Sequence, residues 1–342
     1  MSGDGGERPA HPRAARRELH ALARAALDRY DVVPRSVRLV GVATNATYLV
    51  VDERGRRFAL RVSIPGPTDH TELEARSEIS WLQDLAAARD LSVAAPVRTS
   101  TGDTLVVLPG QDAAATRRCV LFDWLPGRLL AAASARTGWF ATGVLAARLH
   151  RHGAAFRPPA WFSVPRYDRV LPFDEPALLL DRGPHRPRAR LDVFRRATAA
   201  VEEAIARLSA SGEPARVLHG DLHQWNVKIH EGRAAAFDFE DLVLGWPVED
   251  VATTLYYARH DPHPRAASEA FRRGYESVAR WPAHDAAELA TFVMGRALVI
   301  SNTALQLDLD DEIVAGVLAR AEQLAHDTVG GLTVAQTTPP AA

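Results

Sequence analysis

The hydrophobic period of the sequence changes near residue 125, and that change limits the folds open to the chain. Before it, β-rich runs predict strands over residues 37–42, 47–51, 57–63, 104–108 and 118–125. Helical spacing of apolar residues predicts one helix before these strands and a second over residues 72–89. After residue 137 the helical period dominates, for example over residues 138–151 and 192–211. The sequence therefore predicts an α+β protein in which an antiparallel sheet plus a helix precedes a mainly helical part.

Proline and glycine mark the boundaries of these parts. Pro126-Gly127 follows the last strand and marks the end of a linker, which we predict over residues 126–130. The first lobe is predicted over residues 16–125 and the second over residues 131–327. Residues 1–15 and 328–342 are rich in small residues and proline, and we expect both to be disordered tails.

Composition and charge exclude several classes of protein. The 41 Lys plus Arg residues balance 42 Asp plus Glu residues, so the charge of the whole chain offers no attraction for nucleic acid or an anionic membrane. The apolar stretch over residues 289–305 is interrupted by Arg296, which argues against a membrane span. The single cysteine, Cys119, cannot form an intramolecular disulfide, and no secretory signal precedes Leu19. We therefore expect a cytoplasmic protein without nucleic-acid or membrane partners.

The segment from residue 217 to residue 250 carries most of the chemical information. It contains Asp221 in a His-Gly-Asp sequence, Asn226 five positions later, and Asp238 after a hairpin-like stretch. Phosphoryl transfer requires an oriented acceptor hydroxyl and a metal ion on the phosphates, with little covalent chemistry from the protein. Asp221 can accept a hydrogen bond from such a hydroxyl, while the oxygens of Asn226 and Asp238 suit magnesium. The three residues together indicate phosphoryl transfer.

This segment resembles the aminoglycoside phosphotransferase family of the kinase-like superfamily, which also includes choline, fructosamine and homoserine-type kinases. The resemblance covers roughly residues 36–325 and is carried by His219-Gly220-Asp221, Asn226, Phe237-Asp238-Phe239, Gly245 and Asp250. It implies a bilobal protein-kinase-like fold and an ATP- and Mg-dependent O-phosphotransferase. By the same resemblance Asp221 is the catalytic base, and Asn226 and Asp238 are the magnesium ligands. Asp250 is expected to brace a loop rather than to act in the chemistry.

The resemblance places a nucleotide site in the first lobe, where the sequence departs from the protein-kinase pattern. The loop over residues 41–47 has one glycine, Gly41, so phosphate cover would depend on side chains such as Thr44 and Asn45. Arg61 stands where the family carries a phosphate-binding lysine, and the expected ion-pair partner is Glu78, with Glu74 as the alternative. The segment expected to meet adenine contains Phe122, Asp123, Trp124 and Leu125.

The acceptor is the least constrained part of the prediction. Possible substrate-binding residues are His223, Trp225, Glu240 and Asp241. The favoured acceptor is a small molecule with a hydroxyl group, such as an antibiotic or a sugar-containing metabolite. The alternatives are a homoserine- or choline-type amino alcohol, a protein Ser/Thr acceptor, or a nucleotide-binding protein that no longer transfers phosphate.

The histidines of the sequence raise two further questions, namely whether they bind zinc and where His150 lies. A zinc site at His219, His223 and His230 is disfavoured, because no cysteine lies nearby and the residues do not share one helix face. His150 is expected at the surface or at a helix end.

Overall fold

The structure is a computed structural model that describes residues 12–66, 70–88, 90–109, 116–133, 136–173, 175–307 and 309–337. The described chain forms two compact units. The first contains the residues up to Gln83 together with Ala94–Trp124, and the second contains Asp84–Val93 together with the residues from Leu125 onward. The predicted first lobe ran without interruption to residue 125, whereas the structure groups Asp84–Val93 with the second unit.

The first unit is built on one antiparallel sheet of five strands. Its elements are α1 (Pro12–Leu27), β1 (Pro34–Val42), β2 (Asn45–Asp52), β3 (Arg57–Ser63), α2 (Glu72–Ala87, whose last turn falls in the second unit), β4 (Leu105–Leu108) and β5 (Arg117–Asp123). The strand order is β1-β2-β3-β5-β4. Alternate residues of β2 and β3 point into the core, where they meet residues of α1.

The turn between β2 and β3 has the chemistry that the sequence predicts. Asp52 Oδ1 accepts hydrogen bonds from the backbone N–H groups of Arg54 (2.9 Å) and Arg56 (2.8 Å). Gly55 adopts a φ of +79°, in the left-handed region that favours glycine. This turn fixes the register in which Thr47 lies opposite Arg61.

The second unit is mainly helical and contains two small sheets. Its elements are β6 (Arg128–Leu129), α3 (Leu130–Ala133), α4 (Arg136–Ala155), a 3-10 turn (Leu178–Leu180), α5 (Arg188–Ala210), β7 (Arg216–Leu218), β8 (Val227–His230), β9 (Arg233–Ala236), β10 (Val243–Gly245), α6 (Pro247–Ala258), α7 (Pro264–Glu276), α8 (Ala286–Gln306) and α9 (Asp311–Thr337). The sheets have the orders β6-β8-β9 and β10-β7. Residues of α5, α6, α8 and α9 form most of a hydrophobic core of this unit.

Glycines allow α4 and α7 to approach each other closely. A Cβ atom on Gly143 would lie 1.9 Å from the carbonyl oxygen of Phe271, and one on Gly274 would lie 2.0 Å from that of Phe140. The two helices therefore pack backbone against backbone, which only glycine permits at these positions.

The predicted disordered tails are wrong for part of their length. α1 begins at Pro12 and α9 extends to Thr337, so residues 12–15 and 328–337 have a helical backbone. Alanine and arginine after Pro12 are strong helix formers, and proline suits the first helical position. Residues 1–11 and 338–342 lie outside the described residues. Within the described chain, no helix has the length and apolarity needed to span a bilayer.

Candidate active site

The loop over residues 219–226 connects β7 to β8 and turns sharply at Gly220. Gly220 has a φ of +77°, which residues with side chains rarely adopt. A Cβ atom at this position would also lie 1.9 Å from the carbonyl oxygen of Asp241. The loop can turn here because the residue is glycine.

Asp250, in the first turn of α6, anchors the start of this loop. Its carboxylate accepts hydrogen bonds from the backbone N–H groups of His219 (2.9 Å) and Gly220 (2.8 Å). Burial alone would raise the pKa of Asp250, but the contact with His150 and, less strongly, the ring and backbone N–H of His219 lower it. Asp250 is therefore a charged residue that braces the loop.

His150 supports Asp250 from the other side. Its Nε2 atom lies 3.2 Å from Asp250 Oδ2, and its Nδ1 atom lies 2.9 Å from the hydroxyl oxygen of Tyr275. The expectation that His150 lies at a surface or helix end is wrong, because the ring connects α4 to α6 and α7 in the interior.

His219 fixes the loop against the segment that follows β9. Its Nε2 atom lies 3.2 Å from the carbonyl oxygen of Phe237, and its ring centroid lies 4.3 Å from that of Phe239. Burial lowers the pKa of His219, which favours the neutral ring in this contact. The His-Gly-Asp sequence thus combines a bracing histidine, a glycine turn and a half-buried carboxylate.

The carboxylate of Asp221 is held by three side chains. Arg296 Nη2 donates a hydrogen bond to Oδ1, and Asn226 Nδ2 donates one to Oδ2 at 3.1 Å. His223 Nε2 lies 3.1 Å from the same Oδ2. Burial would raise the pKa of Asp221, but the charge of Arg296 and the contact with His223 hold it below its usual range. Asp221 is therefore an ionised carboxylate with a fixed orientation.

Asn226 and Asp238 lie at the same end of the β8–β9 hairpin. Val227 pairs with Ala236, and the carbonyl oxygen of Asn226 accepts a hydrogen bond from the N–H of Phe237 at 3.1 Å. Asp238, the next residue, has a φ of +64°, an uncommon conformation for a residue with a side chain. The hairpin therefore brings the two predicted magnesium ligands together from positions twelve residues apart.

The donor set at this end of the hairpin fits a hard divalent cation. Because Asn226 Nδ2 donates to both the carbonyl and the carboxylate of Asp221, its Oδ1 is left for another partner. An amide oxygen and an exposed carboxylate suit magnesium, which commonly takes few protein ligands. Within the described ranges no three His, Cys, Asp or Glu residues are grouped as a metal site.

Aromatic rings cluster beside Asp221. Trp225 is 42% exposed, and its ring centroid lies 5.4 Å from that of His223 and 6.0 Å from that of His260. Tyr257 packs edge-on against both His223 (4.4 Å) and Trp225 (5.8 Å). The structure thus brings together Trp225 and His223, two of the predicted substrate residues, and adds Tyr257.

The other two predicted substrate residues, Glu240 and Asp241, lie half-buried between β9 and β10. Asp241 contributes to the electrostatics of the loop: burial lowers the pKa of Arg296, whereas Asp221 and, less strongly, Asp241 raise it. The net effect keeps Arg296 charged.

In the first unit, Arg61 on β3 pairs with Glu78 on α2. Arg61 Nη1 lies 2.9 Å from Glu78 Oε1, and Nη2 donates to Oε2, so the pair is bidentate. The guanidinium also lies 5.1 Å from the ring centroid of Phe122. Glu74, the alternative partner, instead accepts hydrogen bonds from the backbone and hydroxyl of Thr71 at the start of α2. Glu78 is therefore the partner of Arg61.

The predicted phosphate loop is a tight and exposed turn between β1 and β2. Ala43 N donates to the carbonyl oxygen of Asn45 at 2.9 Å, and Asn45 Nδ2 lies 3.5 Å from Thr44 Oγ1. No atom lies within 4 Å of a Cβ built on Gly41. Among the described residues, the space beside Gly41 is therefore open.

The segment expected to meet adenine has several backbone groups already in use. Asp123 N donates to the carbonyl oxygen of Ala95 at 2.8 Å, and Trp124 N donates to that of Arg57 at 3.2 Å. In the second unit, Lys228 Nζ donates to the carbonyl oxygen of Leu125 at 2.9 Å. A base bound here would have to use other groups than these.

Sequence reasoning missed Arg296 and Tyr257 as neighbours of Asp221. They lie 75 and 36 residues further along the chain, on α8 and α6, so no local motif includes them. A signal was present for Arg296, which is the one charged residue in the apolar stretch over residues 289–305. A charged residue inside a buried helix requires a partner, and that partner is Asp221.

In the helical unit, Asp221 and Asn226 lie on one loop and Asp238 follows the next hairpin, while the sheet unit carries a pair of Arg61 and Glu78. Kinase-like phosphotransferases use an Asp, metal ligands and a basic–Glu pair of these kinds. The chain belongs to the phosphotransferase enzyme family (APH), whose model matches residues 36–289. The predicted family, α+β fold and enzyme class are thereby confirmed.

Similar proteins support this assignment. The chain is 26% identical over 242 residues to amicoumacin kinase of Bacillus subtilis, covering 70% of this chain and 68% of that protein. The solved structure of amicoumacin kinase hAmiN in complex with AMP-PNP, Ca²⁺ and Ami has a TM-score of 0.75 at 22% identity, covering 93% of this chain and 96% of that one. A microcompartment-associated aminopropanol kinase has a TM-score of 0.79 at 24% identity, covering 91% and 98%.

Proposed function

We propose that this protein transfers the γ-phosphoryl group of ATP to a hydroxyl group of a small molecule, with Asp221 as the catalytic base. The observation that carries the proposal is the fixed carboxylate of Asp221, which is hydrogen-bonded by Asn226 and Arg296. Asn226 in turn lies with Asp238 at one end of the β8–β9 hairpin. The single cysteine and the use of ATP favour the cytoplasm, and the balanced charge favours neither nucleic acid nor membrane as a partner.

Asp221 orients the acceptor and receives its proton. Oδ2 contacts two donors, Asn226 and His223, whereas Oδ1 contacts only Arg296 within the described chain. A carboxylate oxygen can accept two hydrogen bonds, so Oδ1 retains the capacity to accept one from a hydroxyl. As the acceptor oxygen bonds to phosphorus, the bond to the leaving ADP oxygen breaks and the hydroxyl proton passes to Asp221.

Asn226 and Asp238 would hold the metal ion. The amide oxygen of Asn226 is available because its nitrogen is committed to Asp221. A bound magnesium ion neutralises charge on the phosphate oxygens. Asp221 therefore has two tasks: it positions Asn226 and it receives the acceptor hydroxyl.

In the first unit, Arg61 is the proposed phosphate ligand and Glu78 orients it. Glu78 is buried, so the pair is held in one geometry rather than exchanged with solvent. Arginine recognises phosphate through planar, bidentate hydrogen bonds, and the Phe122 ring supports its face. Gly41, Thr44 and Asn45 at the exposed β1–β2 turn are the proposed cover of the phosphates. Phe122, Asp123, Trp124 and Leu125 remain the proposed surroundings of the base.

The favoured acceptor is an antibiotic or a sugar-containing metabolite. The exposed face of Trp225, with Tyr257 and His223 beside it, can stack on a ring of the acceptor. Glu240 and Asp241 add negative charge that would attract an amine. The similarity to an antibiotic kinase supports this class.

A second candidate acceptor is a small amino alcohol. The similarity to an aminopropanol kinase at a TM-score of 0.79 favours it, and the same acidic residues would serve its ammonium group. Such a molecule is too small to cover the Trp225 ring. Stacking on Trp225 should therefore contribute to the binding of a ring-containing acceptor but not to the binding of an amino alcohol.

Mass spectrometry of pooled acceptors incubated with protein, ATP and magnesium tests the function. The pools contain sugar-based and peptide antibiotics, sugars, nucleosides and amino alcohols, with Asp221→Asn as the control protein. We expect one compound to gain a phosphoryl group with wild type and none with Asp221→Asn. Phosphorylation of the same compound by both proteins would contradict the role of Asp221. ATP binding without any product would favour a protein acceptor or a nucleotide-binding protein without turnover.

Trp225→Ala distinguishes the two acceptor classes. Loss of a stacking ring should raise KM for a ring-containing acceptor at least several-fold, on the order of the 1 kcal/mol that an aromatic contact supplies. The same substitution should leave KM for an amino alcohol nearly unchanged.

A further inference from the structure

Arg296 is a buried residue on α8 and the one charged residue between residues 289 and 305. It is 8% exposed, and its neighbours on α8 include Met294, Ala297 and Leu298, which are almost completely buried. Burying a guanidinium is costly unless its charge is paired and its N–H groups are hydrogen-bonded. The charge of Arg296 therefore requires partners in the interior.

The partners of Arg296 all belong to the loop or support it. Its Nη2 atom donates to Asp221 Oδ1 and lies 3.3 Å from the hydroxyl oxygen of Tyr257, and Nη1 lies 3.4 Å from the carbonyl oxygen of Gly220. The guanidinium carbon also lies 5.4 Å from the centroid of the Tyr257 ring. Arg296 therefore contacts both the backbone turn and the side chain that the turn presents.

Tyr257 connects the two groups that hold the carboxylate. Its hydroxyl contacts Arg296, which binds Asp221 Oδ1, and its ring packs on His223, which contacts Oδ2. Asp221, Arg296, Tyr257 and His223 thus form a closed ring of contacts. A carboxylate held at both oxygens by connected groups cannot rotate without breaking several of these contacts at once.

We propose that Arg296, steadied by Tyr257, is a positioning residue for phosphoryl transfer. It fixes the Asp221 carboxylate so that Oδ1 can accept its second hydrogen bond from the hydroxyl group that is to be phosphorylated. The inference rests on the proposed function of Asp221. It assigns a role to two residues on α8 and α6 that lie outside the sequence motifs of the loop.

The alternative is that the Arg296–Asp221 contact only stabilises the fold. The second unit contains a matched ion pair with no contact to the loop: Arg190 on α5 and Glu322 on α9, with Nη2 and Oε2 2.8 Å apart. Its side chains are 17% and 26% exposed, compared with 9% and 17% for Arg296 and Asp221. Arg190 Nη1 also donates to the carbonyl oxygen of His185, so Arg190→Gln reports the effect of losing the ion pair and the hydrogen bond of a half-buried arginine.

The first experiment compares Arg296→Gln, Arg296→Lys, Tyr257→Phe and Arg190→Gln. Turnover is measured as ADP release from magnesium-ATP, with the acceptor pools and with water alone. We expect Arg296→Gln to lower kcat about 100-fold with an unchanged KM for ATP, because misplacement of a catalytic group by about 1 Å has an effect of this size. Arg296→Lys, which restores the charge without the planar fork, should recover part of kcat. Tyr257→Phe should lower kcat several-fold, and Arg190→Gln should leave it unchanged.

A double-mutant cycle decides whether Arg296 acts through Asp221. If it does, Arg296→Gln combined with Asp221→Asn should be no slower than Asp221→Asn alone. Additive losses would overturn the inference, as would a wild-type kcat in Arg296→Gln. Wild-type turnover by Asp221→Asn would instead overturn the proposed function. A failure of the positioning role of Arg296 can thus be distinguished from a failure of the proposed function.

Thermal unfolding and ATP binding of each variant show whether the fold is retained. If Arg296→Gln does not fold, Arg296→Lys and Tyr257→Phe carry the test, because each keeps part of the contact. Loss of kcat in these two variants with wild-type Tm supports the positioning role. Loss of Tm with wild-type kcat would contradict it.

Discussion

At the scale of single residues, the site depends on how carboxylates are partnered. Asp221 and Asp250 are both buried to a large degree, and both have a lowered pKa because donors outweigh burial. Glu249, beside Asp250, has no such set of donors, and burial raises its pKa well above the usual range. Three neighbouring acidic residues therefore differ in charge state because of their partners.

Arg61 provides the first prediction at this scale. Arg61→Ala should raise KM for ATP at least tenfold, since it removes the proposed charged phosphate ligand and leaves Glu78 buried without its partner. Steady-state kinetics with varied ATP measure this effect. The control is Arg56→Ala, which removes an ion pair to Asp52 at the exposed turn of the same sheet and should leave KM for ATP unchanged. Equal KM values for the two variants would exclude Arg61 from the nucleotide site.

Glu249 provides a prediction about pH. Burial is the main cause of its raised pKa, the charge of Asp250 adds to it, and the N–H of Trp246 opposes it. The folded protein thus keeps a proton that the unfolded chain releases above about pH 4.3. The free energy of unfolding should therefore fall as pH rises from that value towards the folded pKa.

Denaturant unfolding at several pH values checks this prediction with Glu249→Gln. Glutamine can still accept the Trp246 hydrogen bond but does not titrate, so the decline in unfolding free energy with pH should be smaller than in wild type. Glu203→Gln is the control, because Glu203 is 72% exposed on the surface of α5. An identical pH dependence in wild type and Glu249→Gln would show that Glu249 is ionised in the folded protein.

The sequence predicted the local part of the site but not its distant partners. Asp221, Asn226 and Asp238 lie within eighteen residues, so chain geometry and one hairpin bring them together. Their proposed roles remain predictions. Arg296 and Tyr257 come from other helices, and only packing determines that they reach Asp221.

At the scale of elements, the packing of α4 against α7 depends on Gly143 and Gly274. Gly274→Ala would place a methyl group 2.0 Å from the carbonyl oxygen of Phe140, so the helices would have to separate. We expect a loss of about 1–3 kcal/mol in the free energy of unfolding, as for other overpacked cores. Chemical denaturation measures it.

Gly316→Ala is the matched control for this prediction. Gly316 also lies inside a helix, α9, but the nearest atom to its Cβ position is the flexible end of Arg320 at 3.4 Å. Alanine there should stabilise the protein by up to about 1 kcal/mol, because it favours the helical backbone. Equal destabilisation by both substitutions would contradict the close helix contact.

The strands of the first unit were predictable because alternation and turn residues agree. β2 and β3 show clear alternation, and Asp52 and Gly55 supply the turn between them. The prediction for the first tail failed because composition alone does not show where a helix begins. The alanine and arginine residues after Pro12 have a high helix propensity, so α1 starts there despite the Gly- and Pro-rich residues before it.

At the scale of the whole molecule, the proposed site residues fall in two units. The first unit holds the Arg61–Glu78 pair, and the second holds Asp221, Asn226 and Asp238. The change of hydrophobic period near residue 125 predicted two parts. The assignment of Asp84–Val93 to the second unit was not predictable, because it depends on long-range pairing such as that of Val93 with Ala236.

Phosphorus NMR of one reaction tests the central claim most directly. Wild-type protein and Asp221→Asn are each incubated with magnesium-ATP and the acceptor pool, and ADP, inorganic phosphate and phosphomonoester signals are followed together. The account predicts a phosphomonoester that grows in step with ADP in wild type and is absent with Asp221→Asn. Release of inorganic phosphate without a phosphomonoester, or equal phosphomonoester from both proteins, would contradict transfer to a hydroxyl acceptor through Asp221.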